Sequence, residues 1–186
     1  MIEEILADLK TEMGSTIESF KRDLSRIRAG RAHPSLLDGV MVEYYGTDTS
    51  LSKIANVSAP ESRMLLIQPF DQTSVTAIEK AIRTSADLGL SPMSDGRILR
   101  IPIPELTEDR RRDLVKRVRK EAESYRISAR NHRRDANDML KQAEADKEIG
   151  EDDHRSAADK VQKLTNECIA KIDEITKAKE ADVMAV

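Results

Sequence analysis

Residues 107–146 read TEDRRRDLVKRVRKEAESYRISARNHRRDANDMLKQAEAD, and the reading of this stretch decides the fold. Leu114, Val118, Ala122, Tyr125, Ala129, Ala136, Leu140 and Ala143 recur at spacings of three, four and seven, the rhythm of a long helix with one buried stripe. Thr107 suits the N-cap, and Glu108 and Asp109 place negative charge at the positive end of the helix dipole. The helix is expected to stop near Ile149 and Gly150, with the glycine as its C-terminal cap.

A helix of that length with a single apolar stripe needs partners. Upstream, Ile2, Leu6, Leu9, Met13, Ile17, Phe20, Leu24 and Ile27 keep the same rhythm, which predicts a helix over 2–28. Downstream, Ala157, Val161, Leu164, Cys168, Ile172 and Ile175 give a third stripe, so three helices bury one another as a bundle. Residues 30–105 have a different texture, holding five of the seven Gly and all six Pro. Val40–Tyr45, Leu51–Ser58, Met64–Pro69 and Ile98–Ile103 read as strands, with turn chemistry at Gly46-Thr47-Asp48, Pro60-Glu61 and Ser94-Asp95-Gly96. Asp71 can cap a helix over about 74–86 with Val75, Ile78 and Ile82 inward. The expected fold class is therefore α+β. A long three-helix bundle (1–30 plus 106–186) is interrupted by a small mixed domain of strands around one helix (31–105). The chain crosses between the parts at Gly30-Arg31 and again at Pro104-Glu105-Leu106, and two short crossings predict a hinge.

Composition agrees with long, narrow helical packing: charged residues make up 35% of the chain and aromatic residues 3%. The net charge of -3 conceals segregation. Residues 107–134 hold eleven Lys/Arg against five Asp/Glu, whereas residues 135–186 hold eight against fourteen. Cys168 is the only cysteine, which removes an internal disulfide or a thiolate metal cluster from consideration. It falls in the third stripe and reads as a core residue. No run approaches the roughly 18 apolar residues of a membrane span, and the acidic start of the chain is unlike a targeting leader. A cytoplasmic monomer without metal or cofactor is the expectation. His33, His132 and His154 lie in separate segments without nucleophile partners at motif spacing, so no enzyme is expected. The acidic run Glu151-Asp152-Asp153 suits the start of a helix better than a metal site.

On a wheel of about 100° per residue, Arg112, Lys116, Arg119, Arg126, Arg130, Arg133 and Arg134 fall within roughly 60° of one line, about 120° from the apolar stripe. Arg22, Arg26, Arg28 and Arg31 add charge on the first helix and at the crossing. A solvated face held by ion pairs is the ordinary meaning of a charged stripe. Against it, Glu123 is almost alone among acids on that arc, and the cations are mainly Arg, whose planar fork matches phosphate. An RNA or DNA backbone is the natural partner, and the scarcity of aromatics favours recognition of folded RNA by shape. A helical adaptor that binds a protein through the bundle is the competing reading.

The order of motifs is also familiar. Arg28-Ala29-Gly30-Arg31-Ala32, Pro34-Ser35-Leu36-Leu37-Asp38-Gly39 and Val42-Glu43-Tyr44-Tyr45-Gly46 resemble the bacterial ribosome recycling factor family. So do Val75 and Ile78-Glu79-Lys80-Ala81-Ile82, Asp87-Leu88-Gly89-Leu90, Ile101-Pro102-Ile103-Pro104 with Leu106-Thr107-Glu108, and Arg130-Asn131 with Arg133-Arg134-Asp135-Ala136. The resemblance implies an L-shaped molecule, a bundle plus a β/α/β domain. It implies binding to the large ribosomal subunit after termination and, with elongation factor G and GTP hydrolysis, splitting of the ribosome for reuse. By position it implies ribosomal RNA contacts at Arg130 and Arg133, and at Arg28, Gly30 and Arg31 on the hinge side. Arg119, Arg126 and Arg134 complete the expected RNA-binding set. Three departures stand out: one extra residue in Ser85-Ala86-Asp87, His132 where an aliphatic residue is usual, and Asp48 and Ser50 in place of turn prolines.

Overall fold

The computed structural model describes residues 1–27, 30–85 and 88–185. Contacts divide the chain into two compact units, Met1–Ala29 with Glu108–Val186, and Gly30–Thr107. The first unit is three helices: α1 (Ile2–Ser25), α4 (Glu108–Ala145) and α5 (Glu151–Met184), each packed on the other two. Its core collects Leu9, Met13, Phe20, Leu24 and Ile27 from the α1 stripe and its extension. Opposite them lie Val118, Ala122, Ala129, Ala136 and Leu140, with Ala157, Val161, Cys168 and Ile172. The buried alanines of α4 fall every seventh residue, and small side chains at a heptad-spaced seam let helices approach closely. Among the bulky contacts, Phe20 and Tyr125 bring their ring centroids to 5.2 Å, and Tyr125 Oη donates to Asp23. Thr16, Thr165 and Thr176 are buried with their hydroxyls satisfied on carbonyls one turn back, at 2.9, 2.8 and 2.7 Å.

The bundle differs from expectation at the end of α4. Gly150 does not cap α4; it is the N-cap residue of α5, with φ -83°. The left-handed residue is Lys147, at φ 57°, and Glu148 N donates to Ala143 O while Lys147 N donates to Glu144 O, both at 2.9 Å. That is the crossed pair of bonds by which a left-handed residue closes a helix, here on a residue other than glycine. His154 then pairs with Glu144 and ties the first turn of α5 to the last turn of α4.

In the second unit, β1 (Met41–Tyr44) and β2 (Thr47–Ser50) form an antiparallel hairpin. A four-stranded antiparallel sheet has the order β3-β4-β6-β5, from β3 (Ala55–Glu61), β4 (Met64–Pro69), β5 (Met93–Ser94) and β6 (Leu99–Pro102). Helix α3 (Val75–Thr84) buries Val75, Ile78 and Ile82, the three residues the periodicity selects. Asp71 caps the 3-10 turn that leads into it, accepting from Thr73 N at 2.9 Å. Leu65, Ile67, Leu99 and Ile101, alternating along β4 and β6, supply the sheet's share of the core. The segment expected to be strand over Leu51–Ser58 begins instead with a single helical turn, α2 (Leu51–Ile54). Leu51 and Ile54 are both buried, and a spacing of three puts them on one side of a helix but on opposite faces of a strand. Thr47 and Asp48, read as turn, belong to β2, because the turn is only Tyr45 and Gly46.

Candidate nucleic-acid interface

The arginines of α4 are placed by heptad spacing. Arg112, Arg119, Arg126 and Arg133 are seven apart and run along one flank of the helix. On the antiparallel α5, Glu180 and Asp173 are also seven apart and meet this flank. Arg119 donates from Nε to Glu180 Oε1 at 2.7 Å, and Arg126 donates through Nη2 and Nε to Asp173 Oδ1 at 2.6 and 2.9 Å. Arg126 also reaches Glu123 Oε2 at 3.2 Å and keeps only 22% of its side-chain surface in solvent. Burial works against its charge, but the bonds to Asp173 and Glu123 outweigh it and raise its pKa. Bonds donated to Glu180 do the same for Arg119. The premise that this flank lacks acids therefore holds for α4 alone: α5 supplies two carboxylates that a single-helix wheel does not display.

Further along, the ladder changes character. Arg133 meets the neutral Gln162, donating to Oε1 at 3.4 Å. Arg130 shares Glu123 with Arg126 at 3.1 Å, and bonds from Arg130 and then Arg126 hold the Glu123 carboxyl below its ordinary range. Arg112 pairs with Glu108 at 2.5 Å within the first turns of α4. Lys116 and Arg134, both exposed, make no ion pair among the described residues. Of the seven cations, Arg112, Arg119, Arg126 and Arg130 meet Glu108, Glu123, Asp173 and Glu180, and among the described residues the other three, Lys116, Arg133 and Arg134, pair with no carboxylate. The surplus therefore lies on Lys116, Arg133 and Arg134, and on the same helix Ile127 is 49% exposed.

His132 is set apart from that surface. Its Nδ1 lies 3.1 Å from Glu12 Oε2 of α1, at the margin of the core. Cys168 donates to Met13 O at 3.9 Å, and burial pushes its thiol pKa up, so it is a core group and a poor nucleophile. Of the residues expected at the crossing, Arg28 lies outside the described residues. Arg31 is exposed. Gly30 has φ +75°, and a Cβ there would sit 2.8 Å from Leu106 Cγ, so both backbone conformation and space favour glycine. Pro104 and Glu105 are exposed, and Glu105 accepts from Arg63 at 2.6 Å. No helix of the described residues is long and apolar enough to cross a membrane.

Comparison with known proteins adds independent findings. The family model "Ribosome recycling factor" matches residues 20–184. A ribosome-recycling factor of Shouchella clausii is 54% identical over all 186 residues, and one of Bacillus subtilis is 51% identical, each with 100% of both chains covered. A solution structure of the ribosome recycling factor aligns with a TM-score of 0.77 at 37% identity, covering 100% of this chain and 98% of that one. A second similar structure comes from models for the T. thermophilus ribosome recycling factor and the E. coli elongation factor G bound to the E. coli post-termination complex. It has a TM-score of 0.64 at 43% identity, with 100% of both chains covered.

Proposed function

The chain belongs to the ribosome recycling factor family, a family of non-enzymatic translation factors, and from that premise we propose that it docks on RNA of the large ribosomal subunit after termination. The contact surface is the outward side of α4 from Lys116 to Arg134, with Arg130, Arg133 and Arg134 as the principal phosphate contacts. Arg119 and Arg126 act differently: they brace α4 against α5 and so hold the outward guanidinium groups in line. Arg28 and Arg31 extend the same contact from the crossing.

The observation that carries this reading is that three cations of a packed helix, Lys116, Arg133 and Arg134, pair with no carboxylate among the described residues. A surface held together only by internal ion pairs would not leave Arg133 facing a glutamine and Arg134 without an ion pair among the described residues. Arginine suits the task because its fork can bind two phosphate oxygens at once. The similar structure in which a family member is placed with elongation factor G on a post-termination complex supports the same partners here. In this account the bundle is a lever. Bending at Gly30, Arg31, Pro104, Glu105 and Leu106 lets elongation factor G, using GTP hydrolysis, move the second unit and drive the bundle into the RNA that joins the subunits.

The test is a polysome-splitting assay with the chain, elongation factor G and GTP, each omitted in turn. Release of subunits only when all three are present is the expected result. Equal release without the chain would overturn the proposal. A helical adaptor for a protein partner would instead bind with little dependence on salt, which cosedimentation with large subunits separates.

A further inference from the structure

The second unit has a surface of opposite sign. The hairpin from β1 to β2 turns in two residues, Tyr45 at φ 50° and Gly46 at φ 76°. Two successive positive φ values make the tight turn that suits the right-handed twist of a hairpin, and Asn or Asp normally fills its first position. A tyrosine there is strained, and strain at a residue other than glycine points to a use. The turn holds the Tyr45 ring in solvent, 80% exposed, edge-on to Tyr44 with centroids 4.5 Å apart. Tyr45 Oη donates to Asp71 Oδ2 at 3.1 Å and Tyr44 Oη reaches the same oxygen at 3.5 Å. Thr73 N donates to Oδ1 at 2.9 Å. The bond from Thr73, assisted by the two phenols against some burial, holds the Asp71 carboxyl below its ordinary range, so it is charged at neutral pH. Phe70, the preceding residue, is 71% exposed.

We propose that Tyr45, Phe70 and Asp71 form a docking site for an arginine- or lysine-bearing segment of a protein partner. An aromatic face attracts a cation through its quadrupole, and a fixed carboxylate beside it supplies the full charge. The surroundings select the same class of partner: residues 41–50 and 69–73 contain Glu43, Asp48 and Asp71 and no Lys or Arg. An unstacked base could lie on the same rings, but its phosphate would be set beside the fixed Asp71 carboxylate. This site is in the other unit from the α4 face and stands independently of the RNA-docking reading.

The chain has two Phe, three Tyr and no Trp, so its aromatic proton spectrum is sparse enough to assign ring by ring. The intact protein is titrated with acetyl-Gly-Arg-Gly-Arg-Gly-amide, with the same peptide carrying Glu for Arg, and with adenosine monophosphate. The arginine peptide is expected to shift the Tyr45 and Phe70 rings saturably, and the other two are not. Tyr45→Asn is expected to reduce the Phe70 shift several-fold without lowering the melting temperature, since Asn fits the turn. Should that variant melt early, Phe70→Ala, which removes an exposed side chain, must reduce the Tyr45 shift instead. Ring shifts with the nucleotide at lower concentration than with the arginine peptide would overturn the proposal. So would unmoved rings with the arginine peptide, or an undiminished response in the variants.

Discussion

Replacing Arg133 and Arg126 separately by alanine distinguishes the two jobs assigned to the arginine row. Arg133 makes one long bond to a neutral glutamine, so its loss removes no charge pair from the fold. Folding stability of Arg133→Ala is expected to change by only about 0.5 kcal/mol, because the half-buried side chain forfeits just this long neutral bond. Binding to the large subunit loses a charge-assisted contact of about 1.5–3 kcal/mol, which raises Kd by roughly 10- to 100-fold. The slope of log affinity against log salt should flatten by about 0.7–0.9, one phosphate contact. Arg126→Ala breaks contacts to Asp173 and Glu123 made by a side chain that is 22% exposed. Its expected cost to folding is about 1–2 kcal/mol, between an exposed pair and a fully buried one because Asp173 and Glu123 remain half in water. Urea unfolding gives the first quantity and cosedimentation with purified large subunits across a salt series gives the second. An Arg133→Ala protein that binds with unchanged affinity and slope would refute the division of labour. So would one that loses stability as Arg126→Ala does.

Other consequences follow from single positions. Gly14 lies exposed inside α1 and a Cβ there meets nothing within 4 Å, so Gly14→Ala should stabilise the bundle by about 0.5–1 kcal/mol in urea unfolding. Gly30→Ala should do the opposite, by about 1–3 kcal/mol, because it combines a positive φ with displacement of Leu106. The Tyr125 phenol, donating to Asp23, is pushed up to about 12 from 10.0. A raised folded-state value favours the fold below the unfolded pKa, and that contribution is lost as pH rises from 10 to about 12. Ultraviolet titration should show one phenol ionising last, and Tyr125→Phe should abolish that step.

Much of this architecture is legible in the residues because long apolar stripes have few competing explanations. Val75, Ile78 and Ile82 of α3 and the three bundle stripes are of this kind. The short elements are harder, since four residues such as Leu51–Ile54 carry too little periodicity to separate a helical turn from a strand. Only the burial of both ends decides it. Lys147 could not be singled out as the left-handed residue, because a lysine carries no local preference for that conformation and Gly150 offers a cheaper residue nearby. The arginine row shows the same limit for the site. Its composition and periodicity lie within α4, but the partners Asp173 and Glu180 come from a helix 47 and 61 residues away in sequence. Their heptad spacing was available as a signal, and it acquires meaning only once α4 and α5 are set antiparallel.

Affinity of the unaltered chain for purified large subunits, measured from about 50 mM to about 200 mM salt, bears most directly on the claim that α4 grips a phosphate backbone. Three uncompensated cations predict that log affinity falls linearly with log salt, with a slope of about -2 to -3. Affinity that stays flat over that range would mean that the guanidinium row meets no nucleic acid.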